Sequence, residues 1–215
     1  MLSTSALRPL RHEPRDLEGL WQSIANGTFT TFSSDHAPSE YGAVGGKRLG
    51  LIDGVPRFSR IPNGLPGVET RMPLLFSRTP ACQSLEKARL SLPRFVQLSA
   101  TDPAKLYGLD SKKGSIAPGY DADFVIWHPG DKGACSISQK NLHHDIDYTP
   151  FEGMPVGNWP RYTILRGQIV WDQAKGIIGK LGHGQYLKRG KGQVLVGRTG
   201  NVPRGMVEDE RKYWV

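Results

Sequence analysis

The chain has little cysteine and no long apolar run. Its 215 residues include two cysteines, Cys82 and Cys135, which lie far apart and outside any Cys-x-x-Cys spacing. This pattern argues against a disulfide framework and a thiolate metal site, and it predicts reduced thiols in a cytoplasmic protein. Because no apolar stretch approaches the roughly 20 residues that cross a bilayer, no membrane partner is expected.

Hydrophobic residues are also scarce. They make up 38% of the chain, whereas glycine and proline contribute 26 and 16 residues. This composition favours turns and long connections over helix bundles. The length allows one large domain, or one domain with a smaller appendage, around a real core. We therefore expect a loop-rich α/β chain.

Acidic residues are outnumbered, since 28 Lys and Arg against 20 Asp and Glu give a formal net charge of +8. A clustered basic surface would indicate nucleic-acid binding, because it neutralises phosphates. Here the late charges are spread among glycines, without a stacking platform, a helix-turn-helix or a zinc-finger pattern. They predict a solvated, partly flexible tail and no nucleic-acid partner. These late charges are Lys180, Lys188, Arg189, Lys191, Arg198, Arg204, Arg211 and Lys212.

A glycine-rich segment, residues 41–54, superficially suggests a phosphate-binding loop. Its closest approach to that pattern runs from Gly42 to Lys47. Three residues rather than four separate the outer glycines, and Arg48 follows where Ser or Thr is required. The segment therefore does not predict a nucleotide site.

The most informative run is residues 32–38, Phe-Ser-Ser-Asp-His-Ala-Pro. The β-branched and aromatic stretch 28–33 predicts a buried parallel strand that delivers Asp35 to its carboxyl end. An acidic residue in that place is typical of a catalytic group in an α/β barrel. Asp also caps turns, so the local sequence leaves both interpretations open.

Periodicity and turn residues predict the other elements. Asp16 is expected to cap a helix over 17–25, and Thr101 or Asp102 to cap one over 103–107. Residues 84–90 and 92–99 also have a helical pattern, whereas 122–127 and 162–171 predict strands, the latter as a hairpin around Gly167.

Three further motifs follow in order: Ile-Pro-Asn-Gly-Leu-Pro-Gly-Val-Glu-Thr-Arg at 61–71, Asp-Pro-Ala-Lys-Leu-Tyr-Gly-Leu at 102–109, and Lys-Gly-Ser-Ile-Ala-Pro-Gly-Tyr-Asp-Ala-Asp at 113–123. Together with 32–38, they resemble the carboxy-terminal half of the cyclic amidohydrolases, which include dihydropyrimidinases, hydantoinases, allantoinases and dihydroorotases. Residues 143–154 and 163–167 are most similar to the dihydropyrimidinase and hydantoinase branch.

The resemblance implies an α/β fold: the carboxy-terminal part of a metal-dependent hydrolase TIM barrel, with part of a small β-sandwich-like domain. We expect a partial barrel over 1–112, a small β domain over 113–178 and a basic glycine-rich tail over 179–215. Met1 falls at an internal position of the family pattern. The chain is therefore expected to be a truncated enzyme.

The resemblance also implies a chemistry. Family members open cyclic amides, such as those of pyrimidine catabolism, with two metal ions, usually zinc, held by four histidines, a carboxylated lysine and one aspartate. Asp35 matches this aspartate, which also passes a proton from the attacking hydroxide to the leaving amine. Asp35 is therefore the candidate catalytic residue and metal ligand.

The same resemblance places two residues at the substrate. Asn63 matches a position whose backbone grips the cyclic amide, and Thr4 falls where a serine does the same. Asn63-Gly64 is also an ordinary turn dipeptide, and Thr4 could be an unremarkable terminal residue. Glu69 and Arg71 are expected to form an orienting ion pair, and His36 to hydrogen-bond near the site.

The other histidines do not complete a metal centre. Adjacent His143 and His144 would point to opposite faces of an extended strand, and the family's paired-histidine motif and lysine have no counterpart here. The chain alone is expected to bind no metal pair and to turn over no substrate. Activity would need an amino-terminal half or a second copy as partner. The alternative is a non-catalytic dihydropyrimidinase-like interaction protein.

Overall fold

A computed structural model describes residues 14–42, 44–52, 55–82 and 88–193. Within these limits, the chain forms two compact units. The first is built from residues 33–88 and 122–183, and the second from 14–32, 89–121 and 184–193. Every residue of the candidate site that the structure describes belongs to the first unit.

Helices are few and short in the described part of the chain. They are α1 (Pro14–Asn26), α2 (Arg71–Phe76), α3 (Leu92–Val96) and α4 (Asp102–Leu106). The strands are β1 (Leu51–Ile52), β2 (Val55–Pro56), β3 (Phe124–Trp127), β4 (Cys135–Ser136), β5 (Pro155–Val156), β6 (Pro160–Leu165), β7 (Gln168–Asp172) and β8 (Gly176–Ile177).

Helix α1 confirms the predicted helix but begins earlier than expected. Asp16 lies in its first turn rather than at its cap, where a carboxylate still favours the positive end of the helix dipole. Gly27, with φ +97°, ends the helix. Arg94 of α3 then fixes this end, because its Nε donates to the carbonyl of Ile24 at 2.7 Å and its guanidinium also reaches the carbonyl of Phe29.

Helices α3 and α4 are joined by a π-helical turn, Gln97–Thr101, into one continuous helical run. The predicted cap at Thr101 or Asp102 is therefore wrong. Both residues have helical backbone angles, and the Thr101 hydroxyl instead donates to the carbonyl of Gly114 at 3.0 Å. The predicted helix over 84–90 falls largely on residues outside the described ranges.

The largest sheet is antiparallel, with the strand order β3-β6-β7-β8. The predicted hairpin is confirmed. Arg166 and Gly167 both have positive φ, +47° and +77°, which is the geometry of a type I′ turn. The Arg166 amide donates to the Asp123 carboxylate at 2.7 Å and secures the turn.

The strand predicted over 28–33 is not formed. Residues 29–35 have no ladder partners, and the one bridge in this region pairs His36 with Leu65 in the parallel sense. A buried parallel strand needs neighbours on both sides, and the described residues supply only this single bridge.

The core of the first unit joins α2 to the sheet. Phe76 of α2 stacks on Trp127 of β3 with ring centroids 4.0 Å apart and planes at 8°. The buried Ser77 hydroxyl accepts a 2.8 Å hydrogen bond from the amide of Gly157. Val156, the residue before Gly157, and Ile137 are almost fully buried. No helix within the described ranges is both long and apolar enough to span a membrane.

The Phe76 contact is expected to dominate the stability of this unit. Phe76→Ala should lower the free energy of unfolding by about 3–5 kcal/mol, because it leaves a cavity beside Trp127. Phe58→Ala is the matched control: this ring is 77% exposed, so its loss should cost no more than about 0.5 kcal/mol. Denaturant unfolding monitored by tryptophan fluorescence measures both. Equal losses would contradict the assignment of Phe76 to the core.

Candidate functional site

Asp35 lies in a left-handed backbone conformation, with φ +46°, and its side chain is exposed. Among non-glycine residues, Asp is one of the few that enters this region at low cost. The exposed carboxylate directly precedes His36, which forms the one bridge that the described residues show for this segment. The carboxylate is therefore presented at a bend and does not occupy the cap position of a helix.

His36 ties this bend to the 61–71 motif. Its Nδ1 accepts hydrogen bonds from the backbone amides of Gly67 and Val68, at 3.1 and 3.3 Å. Because Nδ1 accepts, the neutral ring carries its proton on Nε2. The prediction that His36 makes hydrogen bonds is confirmed.

The two loops come into direct contact at Gly64. This residue has φ +88°, and a Cβ there would lie 1.6 Å from the carbonyl oxygen of Ala37. Only glycine satisfies both constraints. Asn63, whose side chain is exposed, is thus held one residue before the closest approach of its loop to the segment that carries Asp35. The structure brings these two sequence-predicted residues into one region.

Lys47 is a site residue that sequence reasoning missed. Its side chain is fully buried, and Nζ donates to the carbonyls of Pro62 and Gly64 at 2.9 and 2.7 Å. These carbonyls flank Asn63 on either side. Burial lowers the pKa of the Lys47 ammonium. The glycine-rich run around Lys47 gives no indication of where these acceptors lie in the sequence.

Residues 147 and 148 hold the loop that carries Lys47. The Asp147 carboxylate accepts hydrogen bonds from the amides of Tyr41 and Gly42 at 2.6 and 2.7 Å. The Lys47 Nζ lies 5.9 Å from the centroid of the Tyr148 ring. Burial, with a smaller contribution from the Asp147 charge, raises the pKa of Tyr148 to about 12, so its phenol stays neutral.

The adjacent histidines make different contacts, although neither lies in a strand. The His143 backbone amide and Nδ1 both contact the Glu69 carboxylate, at 2.7 and 2.9 Å. Glu69 thus pairs with His143, and the expected ion pair between Glu69 and Arg71 stays a prediction. The His144 ring instead faces His36, with centroids 6.0 Å apart.

The residues present do not fit a complete metal centre. Within the described ranges, no group of three or more His, Cys, Asp or Glu side chains is placed to hold a metal ion. The Nδ1 of His36 is already occupied by two amides. Thr4 and His12 lie outside the described residues. Asp35 is therefore at most one donor of such a centre.

Comparison with known proteins assigns the class. The amidohydrolase family model matches residues 8–170. The chain therefore belongs to the amidohydrolase family.

Individual relatives narrow the similarity to hydantoinases. The chain is 42% identical over 188 residues to a D-hydantoinase of Geobacillus stearothermophilus and 38% identical over 183 residues to one of Ralstonia pickettii. These matches cover 87% and 85% of this chain and 37% of each relative. The chain thus spans little more than a third of their length.

Solved structures agree. A dihydropyrimidinase from Brevibacillus agri NCHU1002 matches with a TM-score of 0.75 at 33% identity, over 89% of this chain and 38% of that one. A D-hydantoinase structure gives 0.74 at 35% identity, over 87% and 38%. The fold is accordingly that of part of a hydantoinase-type amidohydrolase.

Contact between the loops can be tested at Gly64. Gly64→Ala should destabilise the first unit more than Gly45→Ala, because both residues have φ near +90° but only the Cβ at 64 meets another atom within 4 Å. The difference in unfolding free energy isolates the clash with Ala37 from the shared backbone strain. Similar losses in the two variants would show that the loops are not in contact.

His144 should make stability depend on pH. Burial lowers its pKa below the ordinary value, with a smaller opposing effect from Glu69 and a reinforcing one from His36. The unfolded chain then binds the proton at higher pH than the folded chain. Stability should be full above about pH 7.5 and should fall as pH drops below about 6.5 towards the lowered pKa. The His144→Phe variant should lose this part of the slope in urea titrations; an unchanged slope would contradict the prediction.

Proposed function

We propose that this chain supplies the carboxy-terminal part of a hydrolase that opens cyclic amides, with hydantoins or dihydropyrimidines as substrates. Family membership and the names of the similar proteins support the reaction class. The observation that carries the proposal is the packing of Gly64 against Ala37, which places the Asn63 turn beside the bend that presents Asp35.

In this proposal, Asp35 is the acid–base carboxylate. Opening a cyclic amide requires removal of a proton from the attacking water and its delivery to the leaving nitrogen. An exposed carboxylate at a bend is suited to both transfers. The backbone of Asn63 would hold the ring, and Thr4, which lies outside the described residues, would assist.

Asp35 would also be one ligand of a metal centre, with zinc as the expected metal. A zinc or two-metal site needs donors that the described residues do not bring together. The remaining ligands would come from other residues, in an amino-terminal part or in a second copy of the chain.

The finer architecture also remains a proposal. We assign residues 1–112 to part of the barrel, 113–178 to a small β-sandwich-like domain and 179–215 to the basic tail. Strands β3, β6, β7 and β8 support the β domain.

The cytoplasmic location, inferred from cysteine usage, stays a prediction. The alternative of a non-catalytic interaction protein receives no support from the relatives found.

A chimera provides the functional test. In the Geobacillus stearothermophilus D-hydantoinase, the segment that this chain matches would be replaced by this chain. The purified chimera should open hydantoin or dihydrouracil when supplied with zinc, whereas the 215 residues alone should not. Asp35→Asn should lower kcat of the chimera by at least about 10²-fold, because the proton carrier is removed.

Asp145→Asn is the matched control for this substitution. Asp145 is also exposed and also has positive φ, +52°, and Asn tolerates that conformation as Asp does. It should leave kcat unchanged. A folded chimera that binds zinc but opens neither ring would refute the proposed function. Full activity in both Asn variants would refute the role of Asp35.

A further inference from the structure

We infer that Lys47 is a positioning residue that fixes the backbone of residues 62–64, the segment to which the proposed function assigns ring binding. The effect of Lys47 on substrate binding rests on the proposed function, whereas its effect on the backbone of residues 62–64 rests only on the contacts of Lys47. Lys47 touches no substrate in this scheme. It acts through the carbonyl groups of the two residues that flank Asn63, Pro62 and Gly64.

The geometry leaves the segment little freedom. Nζ of Lys47 donates to the carbonyl oxygens of both Pro62 and Gly64, so the 62–63 and 64–65 peptide groups point towards one buried ammonium. Further along the same loop, the His36 ring accepts from the amides of Gly67 and Val68. The loop that carries Asn63 is therefore held by side chains from two other parts of the sequence.

The charge of Lys47 makes its hydrogen bonds to Pro62 and Gly64 costly to break. Lys47 is fully buried, and within the described residues no carboxylate lies at ion-pair distance from it. Two carbonyl dipoles and the face of the Tyr148 ring are the groups that compensate the ammonium. A shift of residues 62–64 would leave a buried cation and two carbonyls unpaired, which is strongly unfavourable.

The loop that carries Lys47 is itself held in place. Asp147 accepts from Tyr41 and Gly42, and the Lys47 and Arg48 amides donate to the carbonyls of Glu40 and Tyr41 at 2.9 and 3.1 Å. The backbone that carries the Lys47 side chain is thus itself held by hydrogen bonds. This rigidity is what a positioning role requires, because binding groups must be held closely to their productive geometry.

The chain contains its own reporter of backbone freedom at this place. Asn63 precedes Gly64, and in Asn-Gly pairs the glycine amide nitrogen attacks the asparagine side-chain carbonyl, forms a succinimide and expels ammonia. Water then opens the succinimide to aspartate or isoaspartate. The attack requires a backbone conformation that a held segment rarely reaches, so the rate of this reaction measures release of residues 62–64.

A second Asn-Gly pair, Asn26-Gly27, lies at the end of α1 and provides an internal reference. In the wild-type 215-residue chain, deamidation at Asn63 should be at least several-fold slower than in the same chain in denaturant. Lys47→Met, which keeps the length but removes the ammonium, should accelerate the reaction at Asn63 and leave Asn26 unchanged. Mass spectrometry of the two peptides follows both sites in one sample.

Two further variants complete the design. Lys140→Met removes an exposed lysine from the same unit and should alter neither rate. Lys47→Gln keeps one donor amide without the charge and should give an intermediate rate at Asn63. Two results would overturn the assignment. If Asn63 of the wild-type chain reacts as fast as in denaturant, Lys47 does not hold the segment. If the Lys47 variants accelerate Asn26 together with Asn63, the variants unfold in general.

The catalytic consequence is measured in the chimera. Lys47→Met should raise KM several-fold with a smaller effect on kcat, because a loosened ring-binding segment weakens ground state and transition state alike. An unchanged KM would remove the link to substrate binding. If the Lys47 variants release Asn63 but the parent chimera is inactive, the proposed function fails while the positioning role of Lys47 stands.

Discussion

One buried cation constrains the arrangement of the candidate site. The Lys47 ammonium has no exposed surface, and its hydrogen bonds to the carbonyls of Pro62 and Gly64 dictate how these peptide groups face. Since Gly64 in turn packs against Ala37, the same interaction sets the distance between the Asn63 turn and the bend at Asp35. An apolar residue in place of Lys47 would leave both carbonyls without a donor in a buried place, so the local geometry depends on this charged side chain.

Backbone strain points to the same region. Asp35 adopts a left-handed conformation, which few residues other than glycine enter. Such a departure is retained when surrounding contacts enforce it, and it is common at functional positions. Here the bridge from His36 to Leu65 and the hydrogen bonds to the His36 ring begin directly after the bend. The consequence is an exposed carboxylate whose direction is set by contacts of the next residue rather than by any partner of its own.

The sequence predicted local features well and distant contacts poorly. Helix α1, the β6–β7 hairpin and the hydrogen-bonding role of His36 follow from short-range signals: a helical period, a turn that accepts positive φ, and a motif. The strand over 28–33 failed because ladder partners are non-local, and the caps at Thr101 and Asp102 failed because a π-turn let the helix continue. Lys47 was missed because nothing in its neighbourhood shows that residues some 15 positions further on would supply its acceptors. The pairing of Glu69 with His143 lay beyond local reasoning for the same reason.

The hydrogen bonds of His36 also decide which side chain here can serve as a donor to a metal. Two backbone amides point at its Nδ1, so that lone pair is taken and the neutral ring carries a proton on Nε2. A ligating nitrogen must instead be unprotonated and free. His36 is therefore better suited to holding the 61–71 loop than to coordination, which leaves Asp35 as the exposed donor at the bend. The described residues thus orient a carboxylate and a backbone turn, and in the proposed function the remaining metal ligands come from other residues.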